Sequence, residues 1–153
     1  MNEYTRITSF VRSMAKEDDG KLGELYRDAI RRKVPVIRPE ARELLKTQLL
    51  LKKPKHVLEI GTAVGYSSLY MTGYLPEDAE ITTLELSEER VAEARANIAQ
   101  FGKSSQIHVI CGDAAQTLRD LPDDTYEFAF VDAAKAQYIY YLPDVMRVLM
   151  PGG

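Results

Sequence analysis

Val57-Leu-Glu-Ile-Gly-Thr-Ala-Val-Gly-Tyr-Ser-Ser68 is the stretch that decides the fold. Val57–Ile60 is a short apolar run of strand type, Gly61 and Gly65 mark a turn, and Tyr66–Tyr74 reads as a helix. A buried strand that passes through a glycine-rich turn into a helix is a place where backbone meets a ligand. Gly61 and Gly65, lacking a Cβ, suit that close approach.

Downstream the same alternation continues. Ile81–Leu84 is a second strand, and Ser87 caps a helix whose Val91, Ala94, Ile98 and Phe101 share one face before Gly102 ends it. Ile107–Ile110 is a third strand, followed by a short helix over Ala115–Leu121. Phe128–Val131 is a fourth, and a helix over Tyr138–Leu149 turns Tyr141, Leu142, Val145 and Leu149 inward. Strands alternating with helices predict an α/β fold, with a parallel sheet wound on both faces.

Upstream, the first 56 residues read as a helical cap on the core formed by residues 57–153, the two making one domain. Ile7, Phe10, Val11 and Met14 recur at helical spacing, and Leu22, Leu25, Tyr26 and Ala29 repeat the pattern after Asp18-Asp19-Gly20. Val34-Pro35-Val36-Ile37 is extended, because a proline disfavours helix in the residue before it. Pro39 then suits the first turn of a third helix, with Leu44, Leu45, Leu49 and Leu50 expected on its buried side.

The 153 residues, 45% apolar and 28% charged, fit a single domain with a real core. No signal peptide and no run of about 18 apolar residues is visible, so a membrane span is not expected. One cysteine, Cys111, rules out an internal disulfide and suits the cytoplasm. The net charge of −3 is unevenly spread. Residues 1–56 carry 14 Lys and Arg against 8 Asp and Glu, whereas residues 57–153 carry 6 against 15. A basic N-terminal third fits either an anionic partner such as nucleic acid or an ordinary solvated helix face bearing Arg27, Arg31, Arg32 and Lys33.

Three acidic residues follow strand-like runs: Glu85, Asp113 and Asp132. Carboxylates at the carboxyl ends of parallel strands suit a nucleotide-like ligand, with Glu85 placed to accept from ribose hydroxyls. The glycine spacing is G-x-x-x-G, not the G-x-G-x-x-G of a dinucleotide phosphate clamp. The strand, turn and later Glu still leave a nicotinamide-dependent oxidoreductase open. His56 and His108 have no acid–base partner nearby in sequence and read as flanking residues. Cys111 reads as a small buried residue or a wall of the same pocket.

Glu59-Ile-Gly-Thr-Ala-Val-Gly-Tyr-Ser67, Thr83-Leu-Glu85, Gly112-Asp-Ala114 and Val131-Asp-Ala-Ala-Lys-Ala-Gln-Tyr138 occur in that order. Together they resemble the S-adenosylmethionine- and divalent-metal-dependent O-methyltransferases typified by the catechol and caffeoyl-coenzyme A enzymes. Within that group the chain looks closest to bacterial enzymes that methylate 5-hydroxyuridine in tRNA. The resemblance implies a Rossmann-like sheet of the class I methyltransferase type, here without its last strands, and a homodimer in the full-length form. It places Gly61 and Gly65 beneath the methionine part of the cofactor, flanked by Glu59 and Tyr66, with Ser67 near the carboxylate and Ile37 lining the site. Glu85 would hold the ribose, and Asp113, with Gly112 and Ala114, would read the adenine edge. Capping of a turn or helix end is the alternative for Glu59 and Asp113, and core packing is the alternative for Ile37.

The resemblance also makes Asp132 a Mg2+ ligand and Lys135 the general base that takes the proton of the attacking hydroxyl. The other two metal ligands would be an Asp-Asn pair expected beyond Gly153, so weak or no metal binding is expected of this chain. The acceptor would be a small phenol or tRNA. A cofactor-binding fragment without turnover is the competing reading. The Asp-Ala-Ala-Lys segment and the missing middle glycine count against the oxidoreductase.

Overall fold

Strand periodicity sorts the apolar residues onto two faces of one sheet. A computed structural model describes residues 3–14, 18–133 and 137–153. Four strands, β1 (His56–Ile60), β2 (Glu80–Glu85), β3 (Ile107–Cys111) and β4 (Phe128–Val131), pair in the order β3-β2-β1-β4, all parallel. Val57 is in register with Ile81 and Phe128, and Ile81 with Ile107, which makes one apolar row across the sheet. Ile60, in register with Leu84 and Val131, lies on the opposite face.

Each face is covered by helices. On the first, Val57, Ile81 and Ile107 pack with α2 (Gly20–Arg31), α3 (Pro39–Lys52), α4 (Tyr66–Thr72) and α5 (Glu88–Gln100), through Ala29, Leu45, Leu49, Leu69, Ala94 and Ile98. On the second, Leu58, Ile60 and Leu84 pack with α6 (Ala114–Asp120) and α7 (Tyr138–Val148) through Leu118, Tyr141, Val145 and Val148. A sheet covered on both faces is the α/β architecture expected from the alternating pattern. The strands and helices fall within a residue or two of their expected positions. Ser87 caps α5, its Oγ accepting from the Arg90 N–H at 3.3 Å.

Two helix faces differ from expectation, those of α3 and α7. α3 turns Arg42, Leu45 and Leu49 inward, whereas Leu44 and Leu50 are exposed. A run of leucines fits two overlapping stripes, and the one containing Arg42 wins because its guanidinium finds buried partners. α1 (Glu3–Met14) forms where the helical spacing placed it, with Ile7, Phe10 and Met14 exposed. On α7 the inward row is Tyr141, Val145 and Val148, and Leu142 faces outward. No helix among the described residues is long and apolar enough to cross a membrane.

Candidate active site

All four strands end at one cavity of about 760 Å³. Its floor is formed by Ile60–Ala63 after β1, Leu84–Leu86 after β2, Gly112–Ala114 after β3, and Asp132 and Ala133 after β4. Tyr66 and Ser67 of α4 form one wall, Gln137 and Tyr141 at the start of α7 another, and Pro35–Arg38 with Ala41 form the roof. The carboxyl edge of an open parallel sheet is where such folds bind ligands, and the volume suits a nucleoside-sized molecule with room beside it.

Ile37, Gly61, Tyr66, Ser67, Glu85, Gly112, Asp113, Ala114 and Asp132, all singled out in the sequence, line this cavity. Glu85 is held ready. Its Oε2 accepts from the Ala63 N–H at 2.9 Å and its Oε1 from the Ser87 N–H at 3.0 Å. Each carboxylate oxygen has a second lone pair, so acceptor capacity remains for ligand hydroxyls. Asp113 lines the cavity and also caps α6, its Oδ1 accepting from the Ala115 N–H at 2.9 Å. Ile37, for which cofactor lining and core packing were alternatives, belongs to the core and also lines the cavity.

Two of the expected residues do not reach the wall. Glu59 lies on the same face of β1 as Val57, beneath α4, and is fully buried. Its Oε2 accepts from the Thr83 hydroxyl at 2.6 Å and from the Ser68 hydroxyl, while Oε1 has no hydrogen-bond partner. Burial raises its pKa, opposed by the Ser67, Ser68 and Thr83 hydroxyls and reinforced by the Asp132 charge. It caps neither a turn nor a helix; it ties β1, β2 and α4 together. Gly65 is the second. Its φ of +82° and its place at the N-cap of α4 account for the glycine, and the nearest atoms to a Cβ there belong to Ala94 at 3.5 Å, not to the cavity. Lys135, the expected base, lies outside the described residues.

Gly61 does line the cavity, yet its lack of a Cβ serves a protein contact. A Cβ at its φ of +103° would come within 2.7 Å of the Asp132 carbonyl oxygen. Cys111 is exposed and contributes to neither the core nor the cavity. Thr62, Ala63, Leu86, Phe130, Gln137 and Tyr141 were not anticipated as lining residues. Gln137 and Tyr141 are one helical turn apart and carry a signal only in hindsight: the Tyr141 hydroxyl donates to Gln137 Oε1.

Two of the basic residues in the N-terminal third are engaged in surface ion pairs. Arg31 and Arg32 both pair with Asp28, and Arg32 also meets Glu93 at 2.6 Å. A Mg2+ ion needs about six oxygens in near-octahedral order. Among the described residues no group of three or more His, Cys, Asp or Glu side chains converges to hold a metal. Asp132 alone does not make such a site.

Sheet, cavity and strand-end carboxylates together define an α/β protein of class I methyltransferase architecture. The profile of the O-methyltransferase family matches residues 12–153, and the chain belongs to that family. It is 36% identical over 120 residues to the caffeoyl-CoA O-methyltransferase of Stellaria longipes, covering 75% of this chain and 50% of that protein. Over 119 residues it is 31% identical to the catechol O-methyltransferase of Niastella koreensis, covering 76% and 54%. The SAH-bound methyltransferase of Podospora anserina superposes with a TM-score of 0.86 at 27% identity, over 100% of this chain and 68% of that one. The chain thus spans about half the length of the curated relatives it matches.

Proposed function

We propose that this chain carries the S-adenosylmethionine site of an O-methyltransferase that acts on a hydroxyl lying beside a second metal-binding oxygen. One observation carries the reading: Gly61, Glu85, Asp113 and Asp132, from four separate strand ends, line a single cavity. The family membership supports it, as does the SAH-bound state of a structural neighbour.

S-adenosylmethionine, when bound, supplies a methyl group on a positively charged sulfur. An acceptor hydroxyl that gave up its proton could take that methyl group on its oxygen, the carbon–sulfur bond breaking to leave a neutral thioether. Within this chain Glu85 holds the ribose hydroxyls, Gly112–Ala114 form the adenine pocket, and Ser67 meets the methionine end. Lys135 is assigned the proton of the acceptor, and positioning supplies most of the remaining rate.

A small catechol-like phenol is the acceptor that the named relatives favour. The pairing of Arg31 and Arg32 with Asp28 and Glu93 also favours it over a polyanion. The 5-hydroxyuridine of tRNA is the second reading, favoured by the basic excess of residues 1–56.

Calorimetric titration of S-adenosylmethionine into this chain tests the core of the reading, with NADH as control. Binding of the first and not the second is the expected result; the reverse overturns it. Turnover assays with Mg2+ present then compare catechol with hydroxyuridine tRNA as acceptors. Replacing Arg31, Arg32 and Lys33 by Ala should leave catechol turnover intact and reduce tRNA turnover only if tRNA is the acceptor.

A further inference from the structure

Arg42 is 3% exposed in its side chain, and its contacts join three elements that frame the cavity. Its Nη1 donates to Asp18 Oδ2 at 2.6 Å and to the Tyr66 hydroxyl oxygen at 2.7 Å, and the Tyr66 hydroxyl donates onward to Asp18. The guanidinium also lies over the rings of Tyr26 (5.9 Å) and Tyr70 (5.3 Å), and Tyr26 packs on Tyr66 with centroids 5.1 Å apart. Asp18 precedes α2, Arg42 is on α3, and Tyr66 opens α4 directly after the glycine turn.

The roof depends on the same residues. The Arg42 N–H donates to the Arg38 carbonyl at 2.9 Å, in the first turn that follows Pro35–Arg38. Ala41, beside Arg42, lines the cavity, as do Tyr66 and Ser67. Asp18 is itself seated by Gly23, where a Cβ would come within 2.0 Å of the Asp18 carbonyl oxygen. A charge this deeply buried is tolerated only with its partners in place. The network therefore admits few arrangements of roof against wall.

We propose that Arg42 is a positioning residue for the cofactor cavity, with Asp18 and the Tyr66 hydroxyl clamping the Pro35–Arg38 roof onto the α4 wall. It need not touch the cofactor: the Tyr66 hydroxyl points to Arg42 and Asp18, so its deletion removes a clamp contact rather than a ligand contact. The inference rests on the cofactor reading above, and wild-type binding is the control that separates the two.

The experiment measures two quantities on the full chain, the Kd for S-adenosylhomocysteine and the Tm. Asp18→Asn and Tyr66→Phe are mild changes that preserve shape, Arg42→Met is the severe one, and Arg42→Lys is the conservative partner. Asp18→Asn and Tyr66→Phe should each raise Kd about tenfold, with the double variant little worse than either, since contacting residues couple. Arg42→Lys should recover part of the affinity lost in Arg42→Met. Leu49→Ala, buried on α3 two turns beyond Arg42 and outside the clamp's hydrogen bonds, should lower Tm at least as far while Kd stays within about twofold. Retention of wild-type Kd in Asp18→Asn and Tyr66→Phe overturns the proposal, as does equal weakening by Leu49→Ala. Absence of binding by the wild-type chain overturns the cofactor reading and this role with it.

Discussion

Gly61 packs so closely against the backbone of Asp132 that a Cβ on it would lie 2.7 Å from the Asp132 carbonyl oxygen. The turn after β1 and the residue that ends β4 are thereby locked together, with Asp132 N–H donating to the Ile60 carbonyl at 3.0 Å. Gly61→Ala combines a collision with an unfavourable φ of +103°, at a cost of about 1–3 kcal/mol from the backbone alone. It should shift Asp132 and abolish cofactor binding. Gly65→Ala, with φ of +82° but only ordinary contacts near the new Cβ, should lower Tm and retain measurable binding. Calorimetry of the two variants beside thermal melts distinguishes them, and equal loss of binding would refute the difference in roles.

Glu85 and Asp113 both line the cavity, but their existing hydrogen bonds differ in what a substitution leaves behind. Glu85→Gln turns an amide N–H2 toward either the Ala63 or the Ser87 N–H, each of which now meets a carboxylate oxygen. Affinity for S-adenosylmethionine should fall at least tenfold, through both the ribose and the turn. Asp113→Asn keeps a side-chain oxygen for the Ala115 N–H, so the α6 cap survives and only ligand contacts change. Asp113→Ala loses the cap as well, costing about 1 kcal/mol of stability. Urea melts should therefore separate Ala from Asn at position 113, whereas binding should be weakened in both.

Glu59 gives a pH dependence whose sign follows from burial. Its folded pKa lies above the ordinary 4.5, so the native state holds a proton that the unfolded chain releases. The stability it contributes is full below that ordinary value and is lost as pH rises through the raised one. Glu59→Gln cannot ionise, and its oxygen can still accept from Ser68 and Thr83. Relative to wild type it should gain Tm as pH is raised from 4.5. Parallel Tm–pH curves for the two proteins would contradict this assignment.

The order of strands and helices was legible because each element from Val57 onward carries its own period and its own stop signal. The strand-end carboxylates were legible for a related reason: a residue directly after an apolar run must emerge at the sheet edge. Glu59 broke that logic because it lies inside its strand, on the face that α4 covers, so its motif position and its location diverge. Arg42 was invisible for another reason. Its partners Asp18 and Tyr66 each lie 24 residues away, and no local spacing reports a contact made through the tertiary fold. The leucines around it offered helical stripes on more than one side.

β4 is the last strand of the sheet on its side among the described residues, and its Phe-Ala-Phe-Val sequence has no charge. All four of its residues are half-buried, and their outward backbone groups offer a template to another chain. Nearby in sequence, α7 adds exposed Ile139, Tyr140, Leu142 and Met146. The uncharged edge strand and this apolar stripe both favour association, and the small net charge of −3 opposes it only weakly. The 153-residue chain should therefore self-associate as its concentration rises, and an extension that pairs with β4 should suppress the effect. Sedimentation velocity over a concentration series, run on both lengths, measures this directly. A chain of 153 residues that stays monomeric throughout and melts in one cooperative step would show that its edge is already protected.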